Sequence, residues 1–151
     1  MRDELIIVSF LKGNPPSSFT RSNWPLHVTI VRPFHCSKSS SELITALSVV
    51  ALENKSFSTI GIAKEFFGPN HDVPVITLKD TNELLSLHEQ AVQACGPDMI
   101  LIGPIFNEYL AHVTEQKSGS ISVGTKIQIS SMSLVYLHND ECQVLCTFDL
   151  A

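Results

Sequence analysis

Residues 26–29 read Leu26-His27-Val28-Thr29, and residues 111–114 read Ala111-His112-Val113-Thr114. The chain thus carries His-Val-Thr twice, with His27 and His112 lying 85 positions apart. Each copy opens a segment with strand character, and side chains alternate across a strand. The His and Thr of one copy therefore share a face, while the Val between them turns to the opposite, helix-packed face. Each strand offers one imidazole beside one hydroxyl. If the two halves of the chain pack as related lobes, the two pairs converge on one cleft from opposite sides.

The surrounding sequence describes what such halves would be built from. Residues 5–11 are an apolar run rich in Ile, Val and Phe and predict a buried strand, followed by a loop over residues 13–18. Trp24-Pro25 leads into a strand over residues 27–32, closed by Pro33. Leu43, Ile44, Leu47, Val50 and Ala51 recur at helical spacing over residues 39–52, and Ser39 with Glu42 forms a capping box at the start. Residues 57–67 and 73–78 predict a hairpin about Gly68-Pro69-Asn70-His71-Asp72. Asp80 and Glu83 cap a second helix with apolar positions Leu84, Leu85, Ala91, Val92 and Cys95, stopped by Gly96 and Pro97.

Residues 99–102 fit a short strand or an extended loop, and residues 111–117 a strand. Two long strands, 126–137 and 142–150, are linked by His138-Asn139-Asp140. Helices interleaved with hairpin-forming strands predict an α+β domain rather than an alternating parallel βαβ fold.

Composition narrows the function classes. A length of 151 residues fits a single domain, and 44% hydrophobic with 17% charged residues excludes intrinsic disorder. Ten Lys and Arg against fifteen Asp and Glu give a net charge of -5. That balance disfavours a protein coating long duplex nucleic acid and leaves a small anionic ligand or a strand end as partner. Cys36, Cys95, Cys142 and Cys146 show no framework spacing, and the acidic start Met1-Arg2-Asp3-Glu4 is unlike a signal peptide. A reduced, cytoplasmic, monomeric protein is expected. No apolar run approaches the roughly 20 residues that a membrane crossing needs.

With both motifs and the order of elements around them, the chain resembles the 2H phosphoesterases, whose best-known members are the 2′-5′ RNA ligase-like cyclic phosphodiesterases. Their signature is a pair of H-x-T or H-x-S motifs roughly 80 residues apart, each followed by an apolar residue. The first motif fits through Ile30; the second has Glu115 after Thr114 and Ala111 before His112, where the ligase-like branch often has Pro. Alternation sends Glu115 to the same side as Val113, away from the cleft. The resemblance implies a bilobal, pseudo-symmetric domain over residues 1–151, with two antiparallel sheets facing across a central cleft and helices packed outside. It further implies that His27, Thr29, His112 and Thr114 line the cleft and act on phosphodiesters next to a ribose hydroxyl, with no metal or other cofactor.

The chemistry explains the residue types independently. Opening a cyclic phosphate needs a base to deprotonate water and an acid to protonate the departing ribose oxygen, and His serves both near neutrality. The Thr hydroxyls can donate to the non-bridging oxygens, where charge develops, while remaining neutral. The sequence leaves open which His is acid and which is base. Trp24, Phe34 and Tyr109 flank the motifs and are candidates for stacking on a base. Arg32 and Lys117 each follow a motif His by five residues; alternation puts them on the far face unless a bulge intervenes, and both are read as solvated ends. His88 is read as a packing residue of the second helix, and His35, His71 and His138 as exposed.

Three other readings stand beside this one: a nucleotide or RNA-end binding module that keeps the cleft without turnover, a structural domain whose His and Thr satisfy turns, and a metal site. For the last, no H-E-x-x-H or C-x-x-C supplies a further ligand, and Cys142 with Cys146 is a poor pair. The absence of a Gly-rich phosphate loop and of G-x-S-x-G argues against a nucleotide kinase or a serine hydrolase. If His and Thr supply every acid, base and donor role, EDTA leaves the rate on a cyclic nucleotide within about twofold. Activity abolished by the chelator and restored by zinc or manganese would instead make the histidines ligands.

Overall fold

The structure, a computed structural model, describes residues 3–12, 14–103 and 108–151; Met1, Arg2 and Gly13 of the expected loop lie outside these. In chain order the elements are β1 (Glu4–Phe10), β2 (Ser18–Thr20), β3 (His27–His35), α1 (Ser40–Glu53), β4 (Phe57–Phe67) and β5 (Val73–Leu78). There follow α2 (Asn82–Ala94), β6 (Ile100–Leu101), β7 (His112–Thr114), β8 (Lys126–Ile129), β9 (Ser131–His138) and β10 (Glu141–Asp149). The strands run in the order β2-β10-β9-β1-β3-β7-β5-β4-β8, with β6 added to β3, and every pairing is antiparallel. The fold is α+β.

Two halves of this sheet meet between β3 and β7, where the pairing is one residue pair wide, Val28 with Val113. The helices cover one face: α1 packs on β9, β10 and α2, and α2 on β3. Leu43 and Leu47 of α1 and Leu84, Leu87 and Ala91 of α2 bury against Val28, Ile30, Val113, Ile127 and Ile129, so one core spans both halves. On the other face of the first half, Ile6, Val8 and Phe10 join Val135, Leu137 and Cys142 in a second cluster. This double coverage is why every β1 residue from Leu5 to Phe10 is buried, the polar Ser9 included, since a strand covered on both faces has no solvent side.

Local chemistry accounts for the helix ends. Ser39 accepts from the Glu42 backbone while the Glu42 carboxylate accepts from the Ser39 N–H, which closes the capping box. α2 starts one residue later than its predicted cap: Thr81, not Asp80, accepts from the Leu84 N–H at 3.1 Å. The buried stripe runs through Leu84, Leu87 and Ala91 at helical spacing, which leaves Leu85, read from the sequence as an apolar face position, 47% exposed. Gly96, at φ +95°, takes the left-handed conformation that ends the helix.

The other differences follow from strand pairing. β3 runs through Pro33, because the Pro falls in an irregular stretch opposite Ile6, between the pairs Leu5↔Phe34 and Ile7↔Val31, and loses no ladder bond there. β2, unmarked by any alternation, pairs with β10 starting at Ser18, the last residue of the expected loop. The long strand expected over 126–137 is two strands. β8 pairs with β4 at the far edge of the second half, whereas β9 lies between β1 and β10 in the first. β7 is shorter than the expected 111–117 segment and stops at Thr114.

Gly61 marks the point where β4 exchanges β8 for β5 as its partner. A Cβ there would lie 2.8 Å from Ile76 Cγ2 and 3.0 Å from the Ser122 carbonyl oxygen. Gly61→Ala is therefore expected to lower stability by about 1–3 kcal/mol, read from the denaturation midpoint. An unchanged midpoint would show that Ile76 and the Ser122 backbone give way there at no cost.

Candidate active site

Pairing of Val28 with Val113 decides where the motif side chains go. Continued by one residue either way, the antiparallel register sets His27 opposite Thr114 and Thr29 opposite His112. Both Val side chains are enclosed on the helix-covered face, at 0% and 1% exposure, so alternation turns the His and Thr to the other face. There the imidazoles occupy opposite corners of a four-residue patch. Each motif strand is braced from outside, His27 and Thr29 by Phe10 and Val8 of β1, and His112 and Thr114 by Thr77 and Val75 of β5.

The two imidazoles are held alike. His27 Nδ1 lies 2.8 Å from the Pro25 carbonyl oxygen, and His112 Nδ1 lies 2.8 Å from that of Leu110. A carbonyl only accepts, so each Nδ1 carries the proton and each Nε2 is the free base when the ring is neutral. Each ring also has an aromatic wall: Trp24 tilts against His27 at 4.6 Å between centroids, and Phe67 meets His112 edge-on at 4.9 Å. Burial pushes both pKa values below the ordinary imidazole value of 6.5, against the opposing pull of the carbonyl bonds, and His27 is lowered further by the charge of His112. The patch thus favours at most one proton on the pair near neutrality.

Beside the patch lies a cavity of about 860 Å³ whose wall includes Thr29, His112 and Tyr109, but not His27 or Thr114. It extends along the second part of β3 to Arg32, Met99 and Leu101, under Phe66, Phe67 and His71 of the β4–β5 hairpin. Arg32 corrects a sequence expectation. Between the pairs Leu5↔Phe34 and Val8↔Thr29, β3 spends two more residues than β1, which breaks the alternation and brings Arg32 into the cavity wall. Its guanidinium donates to the Ile102 carbonyl at 2.8 Å. Lys117, with no such bulge, is exposed.

The three flanking aromatics separate. Phe34 sits opposite Leu5 on the helix-covered face and has no exposed surface, so it is core and cannot stack on a ligand. Trp24 is the wall of His27 and packs against Phe19 as well. Tyr109 lines the cavity, but one face of its ring is covered by His88, stacked at 4.1 Å and 7°. His88 is thereby more than helix packing, and its Nδ1 donates to the Ile30 carbonyl at 2.7 Å. His35, expected to be exposed, is half-buried and bonded to the Asp3 carbonyl, while His71 and His138 are exposed. Among the described residues, no three His, Cys, Asp or Glu side chains gather as metal ligands, and no helix is long and apolar enough to cross a membrane.

No protein-family model matches the chain, and no curated protein matches its sequence. Solved structures do match in shape. An Escherichia coli LigT complexed with 3′-AMP aligns over 100% of this chain and 99% of its own, with a TM-score of 0.57 and 16% identity. A phosphoesterase aligns over 99% of both chains at a TM-score of 0.55 and 16% identity. A protein of Thermus thermophilus aligns over 97% of both at 0.56 and 16%. The chain has the fold of these proteins along its whole length.

The lowered imidazole pKa values have a sign in stability. In the unfolded chain both His take protons near pH 6.5, whereas the folded chain resists them, so stability is fully present above that pH and is lost as pH falls through the lower folded values. His27→Asn, whose amide can still donate to Pro25, removes one such group. Unfolding in urea at about pH 7.5 and about pH 5.5 should show a smaller acid-induced loss in this variant than in the wild type. Equal losses would mean that His27 takes up its proton in the folded state as easily as in the unfolded one.

Proposed function

We propose that the protein is a 2H phosphoesterase. In this reading it hydrolyses, without metal, a 2′,3′-cyclic phosphate at an RNA end or a related cyclic or 2′-5′ linked nucleotide, acting as a monomer in the cytoplasm. The observation that carries the reading is the register at Val28 and Val113, which sets two imidazoles and two hydroxyls on one face of the sheet, beside a cavity. The whole-chain likeness to a LigT solved with 3′-AMP supports it.

The phosphate sits over the patch, with Thr29 and Thr114 donating to its non-bridging oxygens, and the nucleoside extends past Thr29 and His112 into the cavity. His27 is the more deeply enclosed imidazole and the one also depressed by its partner's charge, so it is the neutral member and the base. Its Nε2 takes a proton from water as the water oxygen bonds to phosphorus. His112 Nε2 gives a proton to the ribose oxygen as the phosphorus–oxygen ring bond breaks. The product is a nucleoside monophosphate, and the pair is left with its proton moved from one ring to the other. Both rings point Nε2 outward because both Nδ1 atoms are engaged by carbonyls, so return to the starting state needs only exchange with solvent.

Turnover of a panel of 2′,3′-cyclic nucleotides is expected for the wild type. His27→Ala and His112→Ala should each lose about 10²- to 10⁴-fold in kcat while remaining folded, with sub-additive losses in the double variant. The rate against pH should be bell-shaped, its two apparent values belonging to the pair, and either substitution should remove one limb. Saturable nucleotide binding without turnover in the wild type would replace this reading with a binding module. Full activity in either variant would remove that His from the reaction.

A further inference from the structure

The strand that carries Thr29 is poorly supported where it matters. On the β7 side, its ladder near the motif is the Val28 pair, and pairing resumes only at Phe34 and His35, where β6 joins. On the β1 side, the register slips between Val8↔Thr29 and Ile7↔Val31, immediately beyond Thr29. Side chains take over from the missing ladder. The Tyr109 hydroxyl donates to the Thr29 carbonyl at 2.7 Å, and His88 Nδ1 donates to the next carbonyl, that of Ile30, also at 2.7 Å. The two rings that make these bonds are stacked face to face at 4.1 Å. One belongs to α2, and the other lies three residues before His112, in the segment that enters the second motif.

We propose that Tyr109 and His88 are positioning residues that set the Thr29 hydroxyl relative to His112 and so hold the two motifs in working alignment. The inference rests on the phosphoesterase reading for its chemistry and on the hydrogen bonds for its geometry. Tyr109 suits this role because burial pushes its phenol well above the ordinary value, so it stays a neutral donor at any working pH. A backbone bonded through its carbonyl cannot rotate freely, and the Thr29 side chain is carried by that backbone. A displacement of about 1 Å at a donor is enough to cost roughly 10²-fold in rate, so a hydrogen bond to the backbone that carries Thr29 can set the rate through that donor.

The test is a double-mutant cycle of Tyr109→Phe with Thr29→Val, read both in turnover of a 2′,3′-cyclic nucleotide and in binding of inorganic phosphate followed by the His27 and His112 imidazole resonances. Phe keeps the ring and its stack and removes only the bond to Thr29. Tyr109→Phe should lower kcat about 10-fold with KM within about twofold, and the double variant should be no slower than Thr29→Val alone, since Tyr109 acts through Thr29. Multiplying losses, or a wild-type kcat in Tyr109→Phe, would overturn the proposal. A purely structural role would lower the melting temperature and leave kcat of the folded protein unchanged, which also overturns it.

Should Tyr109→Phe fail to fold, His88→Phe takes its place in the cycle, keeping the stack and removing the Ile30 bond. If the wild type turns over no cyclic phosphate, the phosphoesterase reading falls, and the phosphate titration decides the positioning. Equal weakening in both single variants with no further loss in the double supports it, and independent weakening overturns it.

Discussion

Among the described residues, one antiparallel ladder pair, Val28 against Val113, joins the two halves of the sheet, and the placement of the site follows from it. Backbone pairing is directional and side chains alternate, so this contact alone settles which residues face each other across the junction. Two copies of the same tripeptide meeting at their middle residues must present His to Thr and Thr to His. A slip of one residue would move one motif's His and Thr to the helix-covered face. The burial of both Val side chains in the core shared by the two helices opposes such a slip, because it would place an imidazole and a hydroxyl in an apolar interior. Core packing and site geometry are thus two faces of one register.

The surroundings of the imidazoles act against each other in a useful way. Aromatic walls and burial make each ring costly to protonate, while the carbonyl held by each Nδ1 makes it easier. The pull of the two effects leaves both rings below the ordinary imidazole value, and the charge of His112 separates His27 further. The carbonyl bonds do a second thing that the burial does not, which is to fix the tautomer. Two identical side chains in near-identical local settings become unequal through burial and through the charge of one acting on the other.

Much of this is legible in the sequence, and what is not has identifiable causes. The hairpin at residues 57–78 and the capping box at Ser39 and Glu42 are local signals, and the structure follows them closely. The crossing between β8 and β9 is hidden because both are apolar strands with one residue between them. Its trace lies in Ile127, Ile129, Met132 and Leu134, the residues facing the helix-covered core, whose parity changes across Ser130 and Ser131. Arg32 depends on a bulge that arises only when β1 pairs with β3, so period-two counting sends it to the wrong side. Phe67 and His88 reach the site from a hairpin and a helix distant in sequence, and no motif marks them. Phe34 is misread when nearness to a motif outweighs its even spacing from Val28, which assigns it to the core.

The placement of β9 and β10 also governs how the molecule can be made. β1 leaves the ribosome well before β9, yet Ile6 waits for Val135 and Leu5 for Tyr136, with the whole second half of the sheet synthesised in between. During that interval an apolar strand destined to be covered on both faces lacks one flanking strand and most of the second cluster that will enclose it. Contacts so distant along the chain slow folding, and exposed apolar strands recruit other chains. A chain made only as far as residue 130 therefore leaves one edge of β1 open, and at that edge the incomplete sheet is most exposed to association with other chains.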